Sequence, residues 1–88
     1  MARFEVMEVE NAALGGANAS GDVLFTLGMM YSTGSTVPTD YVSAHKWFNL
    51  AAMRGNKEAS RLRREIAELM SESEIAAAQR AARDWLQH

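Results

Sequence analysis

From Val23 onward, apolar positions recur every three or four residues, and polar or glycine-containing breaks divide the chain into four segments. At about 100° per residue, a helix brings positions i, i+3, i+4 and i+7 onto one face. Over 22–33 this aligns Val23, Leu27, Met30 and Tyr31, with Leu24 and Gly28 at the flanks. Phe25 and Met29, one turn apart, fall on the opposite side. Over 40–54 the stripe is Tyr41, Ala44, Trp47, Phe48, Ala51 and Ala52; over 57–70 it is Ala59, Leu62, Ile66, Leu69 and Met70. A fourth helix, 72–87, aligns Ile75, Ala78, Ala82, Trp85 and Leu86. The pattern predicts an all-α chain whose core is built from these four stripes.

The breaks carry their own stop and start signals. Gly34 is placed to end the first helix in a left-handed conformation that only glycine adopts cheaply. In the turn at 35–40, Val37 precedes Pro38 and is pushed into an extended conformation, and Thr39 or Asp40 can cap the next helix. Gly55 and Asn56 close that helix, and Ser71 with Glu74 forms a capping box for the last one. Arg61–Glu65 and Arg64–Glu68 are opposite charges at four-residue spacing on the outer face of the third helix. Residues 3–14 are read as a helix through Phe4, Met7 and Leu14, although FEVMEV also alternates like a short strand. A Gly/Asn/Ser connector follows and ends at Gly21.

One residue conflicts with its surroundings. Gly28 lies inside a helix, where it costs about 1 kcal/mol relative to Ala. Close approach of a facing helix, through the small Ala44 and Ala51, would account for it.

Composition narrows the function classes. With 9 basic and 11 acidic residues the net charge is −2, without the clustered basic excess that nucleic acid or an anionic membrane would select. The basic stretch Arg54, Lys57, Arg61, Arg63 and Arg64 is interleaved with Glu58, Glu65 and Glu68, as on an ordinary solvated face. There is no Cys, which excludes disulfides, thiolate catalysis and Cys-based zinc sites and fits a reducing cytoplasm. The N-terminus does not read as a secretory leader, and no run approaches the roughly 18 apolar residues of a membrane helix.

Trp47 and Trp85 are 38 residues apart, as are Ala44 and Ala82, and Leu24 and Leu62. A helical hairpin followed by a weaker copy is the mark of a solenoid, in which each unit buries its face on the next. The stretch LGMMYSTGSTVPTDYVSAHKWFNLAAMRGN resembles the Sel-one-like repeat, a relative of the tetratricopeptide repeat. That family's frame is a helix carrying A…LG..Y..G, a loop with V..D, and then A..WF..AA..G. Leu27, Gly28, Tyr31, Gly34, Val37, Asp40, Ala44, Trp47, Phe48, Ala51, Ala52 and Gly55 fit the frame, and Val23 stands where the family usually has Ala. The likeness covers 23–56; the third helix lacks the Leu-Gly pair.

The resemblance implies an alpha-alpha superhelix of stacked antiparallel hairpins. Residues 1–21 would be an N-terminal segment and connector, 22–56 the repeat, and 57–88 a degenerate repeat or C-terminal cap. It also implies a scaffold or adaptor role, often bacterial, with a protein or peptide partner lining the first-helix face. On that face lie Phe25, Met29, Ser32 and Thr33. Two other fates for the patch stay open: burial in a homodimer, or cover by the N-terminal segment through Phe4 and Met7. Chemistry has little to stand on. His45 and His88 are 43 residues apart, no nucleophile elbow or phosphate loop is present, and no metal or cofactor is expected. Trp47 and Phe48, at helical spacing with Ala44 and Ala51, read as core rather than as a stacking site for a ligand. Catalytic residues are therefore expected to be none.

Overall fold

A computed structural model describes residues 20–87; the segment at 3–14 with Phe4 and Met7, most of the connector, and His88 lie outside the described residues. Four helices follow one another: α1 (Gly21–Thr33), α2 (Tyr41–Met53), α3 (Lys57–Ala67) and α4 (Glu72–Leu86), with no strand among the described residues. The all-α class expected from the pattern holds.

Each helix opens on a side-chain cap, which satisfies an N–H that the first turn leaves without a helical partner. Ser20 Oγ accepts from Val23 N at 3.1 Å, Asp40 Oδ1 from Ser43 N at 3.1 Å, and Asn56 Oδ1 from Ala59 N at 2.9 Å. At α4 the capping box is complete: Ser71 Oγ accepts from Glu74 N at 3.1 Å, and Glu74 Oε1 accepts from Ser71 N at 2.8 Å. Gly34 ends α1 at φ 68°, and its N–H donates to Met30 O at 3.1 Å. The loop is then drawn back onto α1 where Asp40 N donates to Tyr31 O at 3.0 Å.

The third helix is shorter than its 57–70 pattern. It ends at Ala67, and Leu69 and Met70 donate to carbonyls three residues back, Leu69 N to Ile66 O and Met70 N to Ala67 O. This tighter winding turns Leu69 off the stripe into solvent, 67% exposed, while Met70 still packs on the core. On the outer face, Arg61 bridges Glu58 and Glu65, whereas Arg64 turns to Ser60 rather than to Glu68.

Helix α2 is the hub, packing against each of the other three; α3 and α4 each pack on it far more than on one another. It runs antiparallel to α1: Asn56, just past its end, donates through Nδ2 to Asp22 Oδ1 at the start of α1, at 3.3 Å. Arg63 of α3 donates through Nη1 to Asn49 Oδ1 of α2 at 2.8 Å. The ring of Trp85 on α4 meets Trp47 edge-on, with centroids 5.9 Å apart and planes at 80°. Phe48, Leu24, Leu27 and Leu50 are the largest fully buried side chains. Each contributes about 1.5–3 kcal/mol through removal from water.

Candidate functional site

The contact between α1 and α2 determines what α1 presents outward. Gly28 is buried, and the ring of Phe48 lies directly over its backbone: a Cβ there would sit 2.4, 2.5 and 2.9 Å from Cδ1, Cε1 and Cγ. The close approach expected at Gly28 is present, and its nearest atoms belong to the Phe48 ring. The buried stripe of α1 is consequently Leu24, Leu27 and Gly28, with Gly28 inside it rather than on its flank.

That rotation changes the standing of Phe25 and Met29. Both are half-buried and packed against the core, and the Phe25 ring lies 5.7 Å from that of Phe48 at 47°. They are not an outward pair opposite the core stripe, as helical spacing predicts; they form the shoulder where core meets surface. Ser32 Oγ donates to Met29 O at 3.2 Å, and Thr33 Oγ1 donates to the same carbonyl at 2.8 Å. Thr33 Oγ1 also reaches Ser35 Oγ at 3.1 Å. Phe25, Met29, Ser32 and Thr33 thus make one strip of α1, half apolar and half hydroxyl, with the hydroxyls already engaged by the helix's own backbone.

The repeat-frame positions fall largely in the interior. Leu27, Gly28, Ala44, Trp47, Phe48 and Ala51 are buried, while Tyr31 and Ala52 are half-buried against the same core. Asp40 is a cap whose second oxygen, Oδ2, also accepts from Ser43 Oγ at 2.7 Å. Gly55 carries φ 96° just after α2. Lys46 Nζ stands 4.1 Å from the centroid of the Trp47 ring.

Two residues important to the packing escape the one-stripe pattern. Leu50 is fully buried on another side of α2, and His45 is only 4% exposed. The run from Trp47 to Met53, apolar on too many sides to serve one interface, could have found Leu50, and His45 sits one turn before Phe48, beside the stripe. His45 Nδ1 is buried without a hydrogen-bond partner. Burial first, and the Arg63 charge second, hold the His45 imidazole below its ordinary range of about 6.5.

Among the described residues no three His, Asp or Glu side chains gather as metal ligands, and no helix is long and apolar enough to cross a membrane. Compared with protein-family models, with curated proteins and with solved structures, the chain matches none. The likeness to Sel-one-like repeats therefore rests on the positions quoted above.

Proposed function

We propose that the chain is a non-enzymatic protein–protein interaction module of the Sel-one-like repeat type, acting as an adaptor or scaffold in the cytoplasm. In this reading 22–56 is one repeat of an alpha-alpha superhelix, and 57–88 is a degenerate repeat or C-terminal cap. The partner, a protein or peptide segment, docks along the strip of α1 formed by Phe25, Met29, Ser32 and Thr33. The observation that carries the reading is the seating of Phe48 on Gly28. It gives the Leu-Gly and Trp-Phe positions of the repeat frame one shared physical purpose, the intimate pairing of two helices. Half-buried Phe and Met suit docking, since a flexible Met repacks against different shapes.

The test is the solution mass of the wild type and of Met29→Asp by light scattering, with helix content monitored by circular dichroism. The module reading expects a monomer in both, equal helicity, and loss of a copurifying protein in the variant alone. A wild-type dimer that Met29→Asp dissociates would assign the strip to self-association instead. Recovery of the same proteins by both forms would remove the strip from consideration as a docking face.

A further inference from the structure

His45 projects from α2 into a nearly closed environment, and its Nδ1 has no hydrogen-bond partner. A neutral imidazole accommodates this with the bare lone pair of one nitrogen. An imidazolium carries a proton on both nitrogens, and the one on Nδ1 would find no acceptor. Four residues on, and so on the same side of α2, Asn49 accepts from Arg63 Nη1 of α3. That bond fixes a permanent positive charge on the same side of the interface, where it bears on the imidazole.

Of the carboxylates around His45, Glu68 at the end of α3 and Glu72 and Asp84 of α4 are exposed to solvent, and five others are engaged elsewhere. Asp22 of α1 binds Asn56, and Asp40 holds the Ser43 N–H and hydroxyl. Glu58 and Glu65 of α3 pair with Arg61 on its exposed face, and Glu74 of α4 closes its own capping box. Among the described residues, Arg63 is the charged group that acts on the imidazole, and its sign opposes a second positive charge.

We propose that His45 and Arg63 form an acid-sensitive latch between α2 and α3, closed while the imidazole is neutral and released when it takes up a proton. The released form lets His45 titrate near its ordinary 6.5, whereas the latched form holds it lower. Between those two values the released form binds more protons, so the latch is at full strength above about 6.5 and weakens as pH falls through that point. Below the latched value it weakens no further. Release uncovers the buried side of α3, Ala59 and Ile66, together with the part of α2 beneath it. The chain then offers an apolar surface in acid that it withholds at neutral pH.

The experiment uses the full chain carrying His88→Gln, so that one histidine reports. His45 is titrated by nuclear magnetic resonance from pH 8 to 5, and amide-exchange protection is measured over the same range, corrected for intrinsic rates. The proposal expects His45 to titrate below 6.5, and residues 57–67 to lose protection about tenfold for each unit of that lowering. Residues 24–31 should keep theirs. Arg63→Gln should move the His45 titration upward, and His45→Phe should leave protection of α3 independent of pH. Titration of His45 at or above 6.5 in the folded chain would overturn the latch. So would an equal acid loss in His45→Phe, or loss spread evenly over α1 and α3.

Discussion

Gly28→Ala separates local preference from tertiary packing, because the two effects have opposite signs. In an exposed helix interior the exchange would stabilise by about 1 kcal/mol. Here the added methyl would lie 2.4 Å from Phe48 Cδ1 and 2.5 Å from Cε1, more than 1 Å inside ordinary contact. The ring cannot swing aside, because Phe48 is fully buried and Phe25 leans against it. Either α1 lifts from α2 or the ring leaves its rotamer. Overpacking of this kind costs about 3 kcal/mol, at the upper end of its usual range. The net loss is then about 2 kcal/mol, a fall in Tm of roughly 8–16 °C for a domain of this size. Thermal and urea unfolding followed by circular dichroism would measure it. Phe48→Leu in the same chain should make the two changes cost less together than their sum, because the smaller side chain vacates the space the methyl needs. A Gly28→Ala chain as stable as the wild type, or more so, would refute the close-contact account.

Other consequences follow from the caps, rings and charges. Gly34→Ala should cost about 1–2 kcal/mol in urea unfolding, since its φ of 68° is strained for any residue with a Cβ. Ser71→Ala should remove about 1 kcal/mol by dismantling the capping box at α4, with amide exchange of 72–75 rising first. Trp85→Ala should cost about 2 kcal/mol, below the range for a fully buried Trp because this ring is half-exposed. It should also alter the fluorescence of Trp47, against which the ring rests edge-on. Arg61→Ala should leave the unfolding midpoint unchanged in low and moderate salt, because both of its ion pairs lie in solvent.

Helix positions were legible because caps and glycines are local signals. Asp40 and Ser71 each act through residues three positions away, and Ser20 and Asn56 cap α1 and α3 over the same span although the pattern reads them only as parts of breaks. The course of the buried faces was less legible, for a reason visible at Gly28 and α2. A glycine adds nothing to a hydrophobic stripe, so the pattern sets Gly28 at the margin, although the absence of its side chain is what admits the Phe48 ring. The stripe then turns toward Gly28 and draws Phe25 with it. Helix α2 defeats a one-face reading in another way, since a hub is covered from several sides and Leu50 need not align with Phe48. The end of α3 is not legible in the sequence, because tightening of the last turn leaves no mark in the spacing of Leu69. For the candidate strip, helical spacing puts Phe25 and Met29 one turn apart on α1, but the half-buried state of Phe25 depends on a ring twenty-three positions away.

The central place of α2 also bears on the order in which the fold comes together. Its pairing with α1 joins neighbours along the chain, and so does its pairing with α3; such short closures form fast. The Trp47–Trp85 contact closes a loop of thirty-eight residues and lies outside both. During synthesis α2 is therefore complete, and can already be gripped by α1, while one flank still waits for α4. A nascent chain passes through a stage with Trp47 uncovered, and misassociation between copies at that stage would be seeded there. Cotranslational cover of Trp47 is thus a matter of how soon α4 follows, rather than of how stable α1, α2 and α3 are.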